Sequence, residues 1–167
     1  MKRYLGQRGV TLVELSVTVA IIGIVAAIAL PTFVKVMPKV RLNNNTMTLA
    51  NEVSLSRVRA IAKSSRFRIT FNTTADAYTL QRESGGAWVT ITTNKVTGSD
   101  LLSVANFLDA NAVTADWNGS MNVAFGTRGL VTLATPEGDY RKRVAVESSG
   151  RVVVERSFDG GSTWQGD

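Results

Sequence analysis

Arg8-Gly9-Val10-Thr11-Leu12-Val13-Glu14-Leu15 opens an apolar run in which Glu14 is the only charge before Lys35. From Leu15 to Val34 no residue is charged, and most are Val, Ile, Ala or Leu. At the α-helical rise this stretch extends about 30 Å, the thickness of a bilayer's hydrocarbon core. Lys2, Arg3 and Arg8 precede it, so the positive-inside rule keeps the N-terminal tail cytoplasmic and sends everything after Val34 across the membrane. A carboxylate at the head of such a helix is costly in apolar surroundings and calls for a partner.

The string Gly9 to Leu15, behind a short basic leader, resembles the class III signal of type IV pilins and type II secretion pseudopilins. That resemblance implies a prepilin peptidase that cuts between Gly9 and Val10 and leaves Val10 N-methylated. The usual first mature residue in the family is Phe, so Val10 is a mild departure. The resemblance also implies that Glu14 neutralises the N-terminal amine of a neighbouring subunit during fibre assembly. Its partners would then be the peptidase, the inner membrane, and other pilins or pseudopilins through the helix. The implied organisation is a leader at 1–9, a transmembrane half-helix at 10–34, a periplasmic half-helix at 35–65 and a β-rich periplasmic domain at 66–167.

Two plainer readings compete with it. Ala27-Ile28-Ala29 has the small-x-small form of a signal peptidase site. Yet Glu14 interrupts the hydrophobic region, and the helical pattern continues well past Ala29. In a plain single-span anchor, Glu14 would merely sit near the headgroups.

Composition fits an exported protein with one modest globular domain. The 167 residues include no cysteine, so no disulfide staples the fold, and no histidine, the commonest general base and metal ligand. Removing Met1 to Gly9 would take away Lys2, Arg3 and Arg8, reducing the formal charge from +6 to +3. The remaining carboxylates lack motif spacing, and no Gly-rich phosphate loop joins a strand to a helix. The sequence reads as a non-enzyme with no metal site and no cofactor.

Helical character runs from about Val10 to Ser65, with Pro31 and Pro38 expected to bend or loosen it. On a helical wheel the part after Val40 carries two apolar stripes. Leu42, Leu49, Val53 and Ala60 form one; Val40, Met47, Leu55, Val58 and Ala62 lie roughly opposite. One stripe suffices to cover a sheet. The second is explained either by helices of other subunits or by a domain that wraps the helix on both sides.

From Arg66 the apolar period changes to two, with Phe67, Ile69 and Phe71 alternating with polar residues. Further strands are expected at 78–83 and 87–93, separated by Ser84-Gly85-Gly86, and at 122–125, 130–134, 141–147 and 151–156. Leu101 to Leu108 reads equally as a strand or a short helix. A long N-terminal helix followed by an antiparallel meander is an α+β, pilin-like fold.

The segment Leu55 to Ile61 running into the first strand, and the hairpin carrying Gly150-Arg151-Val152, resemble the GspH/FimT branch. Its members are minor pseudopilins of type II secretion or minor pilins of type IV pili, and some bind DNA during uptake. Arg141, Lys142, Arg143, Arg151 and Arg156 are the candidate phosphate contacts. The DNA-binding members carry Gly-Arg-x-Arg, however, and here Val153 replaces the second arginine. A structural reading accounts for the same charges. A Ser148-Ser149-Gly150 loop, with Gly150 left-handed, pairs Glu147 with Arg151, Ala145 with Val153 and Arg143 with Glu155, and puts Val144, Val146, Val152 and Val154 on the other face.

The C-terminal Ser157-Phe158-Asp159-Gly160-Gly161-Ser162-Thr163-Trp164 fits the Asp-box pattern of sialidase-like propellers, where it is a structural turn. One copy cannot build a propeller. Asp159 is expected to accept backbone N–H bonds across the turn, and Trp164 to pack back, tying down the C-terminus without a disulfide.

Overall fold

Thr11 starts the helix. Its hydroxyl accepts the Glu14 N–H at 3.2 Å while the Glu14 carboxylate reaches back to the Thr11 N–H at 3.4 Å, a reciprocal capping box. The computed structural model describes residues 10–109, 111–123 and 126–167, and in it the helix α1 spans Leu12–Lys63. Pro31 and Pro38 lie inside α1, and neither ends it. The helix stops with Ser64 in the left-handed region, φ 45°, where a glycine is more usual. The Ser64 and Ser65 N–H groups bond back to the carbonyls of Ile61 and Ala60, closing a Schellman motif.

The chain forms two compact units, one ending at Met37 and the other Pro38–Asp167. The described part of the first is helical from Leu12 and apolar from Leu12 to Leu30. Among the described residues, the second holds the rest of α1 and nine strands: β1 Phe67–Asn72, β2 Ala77–Ser84, β3 Ala87–Lys95, β4 Asp100–Ala105, β5 Ala112–Ala115, β6 Gly129–Ala134, β7 Arg141–Val146, β8 Val152–Ser157 and β9 Gln165–Gly166. Every pairing is antiparallel. They form two sheets in the orders β3-β2-β1-β5 and β4-β6-β7-β8-β9, so the expected meander is interrupted where β5 returns to pair with β1. Of the ambiguous segment, Leu101 to Ala105 is strand, and beyond it Phe107 makes only an isolated bridge. At 122–125, Met121 and Val123 make only isolated bridges, to Ala115 and Phe107, and the last two positions lie outside the described residues.

The core joins the α1 stripe of Leu42, Leu49, Val53 and Ala60 to the inner faces of both sheets: Phe67, Ile69 and Leu80 from one, Val131, Leu133, Val144 and Val146 from the other. Thr46 and Ser56, buried on the same helix face, bond to the carbonyls of Leu42 and Val53, so their burial leaves no hydroxyl unpaired. The β2–β3 turn is shorter than its three expected residues. Gly85 and Gly86 alone form it, with φ of 60° and 80°, the conformation that fits a two-residue hairpin to strand twist.

Candidate functional site

Three surfaces contain the residues singled out by the sequence. At the head of α1, Val10 and Glu14 are exposed, and Gly9 lies outside the described residues. Thr11 supplies the hydrogen-bond partners of the Glu14 carboxylate among the described residues. The Thr-x-x-Glu spacing that fixes this cap was readable in the sequence, although only the charge of Glu14 drew notice there. Between Leu12 and Leu30 the helix is long and apolar enough to cross a membrane, and none of that window is buried.

The second surface is the outer side of α1 within the larger unit. Val40, Met47, Leu55 and Val58 are each more than 40% exposed, whereas the opposite stripe is fully buried. Asn44, Asn51 and Ser54 are exposed on the same side of the helix. The domain therefore does not wrap the helix on both sides. Of the two explanations for a double stripe, the chain's own fold removes one.

The third surface is the basic ladder. The β7–β8 hairpin has the register read from its loop: Arg143 opposite Glu155, Val144 opposite Val154, Ala145 opposite Val153 and Val146 opposite Val152. Gly150 adopts φ 84°, and its N–H bonds to the Glu147 carbonyl. Lys142 must be struck from the candidate phosphate contacts. Counting alternate residues puts it on the valine face, where it is 2% exposed and its ammonium donates to Asn43 Oδ1 at 2.7 Å and to Asp167. Arg143 donates to Glu155 and stacks on the Trp164 ring at 4.1 Å. Arg156 lies 3.5 Å from Asp167, and Arg141 bonds the Gly138 carbonyl. Arg151, 71% exposed, is the most open of the five, with Glu147 4.0 Å away.

Glu155 is the hub of this ladder. Burial pushes its carboxyl up, but hydrogen bonds from Arg143 and Arg128 outweigh that and leave it below the usual range. Below it, the Asp-box turn closes as expected. Asp159 accepts the Ser157 hydroxyl, the Thr163 hydroxyl and the N–H groups of Ser162 and Thr163. Those bonds, the Ser157 and Thr163 hydroxyls foremost, hold its carboxyl far below the ordinary value. The Trp164 indole N–H bonds the Gly161 carbonyl. The turn is thus tied to β7 through the Arg143–Trp164 stack.

Sequence reasoning missed Arg57, whose Nε donates to the Gly119 carbonyl at 2.8 Å and whose side chain lies against Gly150. It also missed Asn43 and Asp167, the partners of Lys142 and Arg156, and Arg128, which pairs with Glu155. No local signal marks these residues, because each contact joins distant parts of the chain.

The prokaryotic N-terminal methylation motif family matches residues 5–30. No curated protein matches the chain by sequence. Among solved structures, the minor pseudopilin EpsH from the type II secretion system of Vibrio cholerae is similar in fold. Two structures of it align with TM-scores of 0.58 and 0.50, at 12% and 10% identity, each match covering 68% of this chain and 95% of the other. The architecture is therefore type IV pilin-like: a methylation-motif helix followed by an antiparallel sheet domain.

Proposed function

We propose that this chain is a prepilin that matures into a minor subunit of a type II secretion pseudopilus and supports protein secretion. Cleavage between Gly9 and Val10 by a prepilin peptidase, with methylation of Val10, releases the leader. The apolar half of α1 then holds the subunit in the inner membrane, with the sheet domain periplasmic, until the helix transfers into the fibre. The observation that carries this reading is the state of the helix. Its N-terminal half exposes apolar side chains throughout, with a carboxylate at its head, and its second half leaves an apolar stripe bare beside a fully packed one.

Glu14 then has two roles in succession. In the single chain its carboxylate caps its own helix through Thr11. In the fibre the same carboxylate, one turn from the helix end, is the charge partner for a neighbour's Val10 amine, which removes two unpaired charges from apolar surroundings at once. Changing Glu14 to Ala is expected to leave peptidase processing intact and abolish incorporation into filaments. Thr11→Val removes the cap, at about 1 kcal/mol of helix stability, and keeps the carboxylate, so it is expected to incorporate. Normal incorporation of Glu14→Ala would refute the charge-pairing role.

A FimT-like minor pilin of type IV pili, acting in assembly or DNA uptake, is the second reading, and the exposed Arg151 at the hairpin tip favours it. Its support is narrower, since Lys142 is buried and Arg143 and Arg156 already face carboxylates.

A further inference from the structure

We propose that the cleft between the start of the domain's helix and the C-terminal hairpin binds an organic carboxylate, an anionic head on a flat apolar body. The cleft has a volume of about 340 Å³ and is walled by Lys39, Val40, Tyr140, Arg156 and Phe158, with Lys142 and Asp167 at its base. That volume lies at the small end of the range for small-molecule sites.

Charge sets the sign of the ligand. Three cations, Lys39, Lys142 and Arg156, line the cleft against the single carboxylate of Asp167. Lys142 is fixed by Asn43 and Asp167, and the other Asp167 oxygen lies 3.5 Å from Arg156 Nη1. Asp167 answers part of the positive charge and Asp139, which interacts with Lys39, a further part, so three cations face two carboxylates. The Nε–H of Arg156 is buried and has no partner among the described residues. The reachable cations are Lys39, which is exposed, and the outer part of Arg156, whose side chain is 41% exposed, and an anion in the cleft meets both.

The walls determine what the anion is attached to. Tyr140 and Phe158 lie with ring centroids 5.0 Å apart, tilted by 30°. Phe158 is nevertheless 63% exposed, and Val40 beside it 45%. Lys39 sits over the Tyr140 ring at 5.8 Å and Arg156 over Phe158 at 5.6 Å, so each aromatic face has a cation at its rim. Tyr140 is itself buried, so a bare inorganic anion would use the cations and leave only the Phe158 ring wet. An aryl or branched aliphatic carboxylate uses both. The same chemistry occurs in a free small carboxylate and in an acidic group of a polypeptide flanked by an apolar residue.

The test is calorimetric titration of the full chain in detergent micelles with benzoate, benzyl alcohol, acetate and inorganic phosphate. Benzoate is expected to saturate one site, with each other probe at least about tenfold weaker, since each lacks either the charge or the ring. Lys39→Gln and Phe158→Ala, both surface changes, are expected to weaken benzoate about tenfold. Asp167→Asn removes the internal competitor and is expected to tighten it. A peptide bearing a Phe-Glu pair, titrated alongside, separates the sources: binding of both ligands assigns the site to polypeptide carboxylates, and benzoate alone to free ones. Absence of saturation, equal binding of benzyl alcohol or phosphate, or indifference to both Lys39→Gln and Phe158→Ala would overturn the proposal.

Discussion

Gly150 shows how one residue serves both the hairpin and its docking. Its φ of 84° belongs to the left-handed region, which closes the Ser148–Gly150 loop in register. A Cβ added there would run into Nε and Cδ of Arg57, the side chain that links the helix to the Gly119 carbonyl. Gly150 is therefore a packing residue of the helix–hairpin contact as well as a turn residue. Gly150→Ala is expected to cost about 1–3 kcal/mol from the backbone alone, read as a lowered midpoint in urea unfolding. The loss should be smaller when Arg57 is also Ala, because the steric part then disappears. Equal losses in both backgrounds would show that Arg57 is not what the added methyl meets. Glu14 was legible at this scale because a lone carboxylate in an apolar run stands out. Its partner Thr11 was equally legible by spacing, but the fibre role drew attention away from the local one.

At the scale of elements, legibility followed periodicity. β7 and β8 alternate cleanly around a glycine loop, so their register was readable pair by pair. β5 was not readable: Ala112–Ala115 is buried at all four positions and shows no alternation. β9, two residues long, exists only because the Asp159 turn delivers it to β8. Lys142 was misjudged as a surface cation because its charge outweighed its parity with Val144 and Val146. The acid stability of this C-terminal part follows from three carboxylates held below their ordinary values, Asp139, Glu155 and Asp159. A depressed folded-state value means that their contribution is complete above the unfolded value of about 4. It is lost as the pH falls through the folded one. Unfolding midpoints are expected to fall steadily on acidification below about pH 4, and Asp159→Asn should flatten that slope. An unchanged slope in the variant would mean that Asp159 is not stabilised in the folded turn.

For the whole molecule, the sequence left two explanations for the helix's second apolar stripe, and the larger unit leaves that stripe exposed. The Lys39–Phe158 cleft lay beyond sequence reading, because its walls come from the helix, the β6–β7 turn and the C-terminus. In a fibre of the proposed kind, neighbouring subunits cover the bare stripe of Val40, Met47, Leu55 and Val58. Because the chain has no cysteine, single cysteines at Met47 or Val58 report directly on that face, with the exposed turn residue Thr73 as a control. Maleimide labelling of Met47→Cys and Val58→Cys is expected to be fast in the membrane-held subunit and strongly protected in isolated filaments, while Thr73→Cys stays reactive in both. Equal labelling of the stripe in both states would mean that no neighbouring subunit covers it.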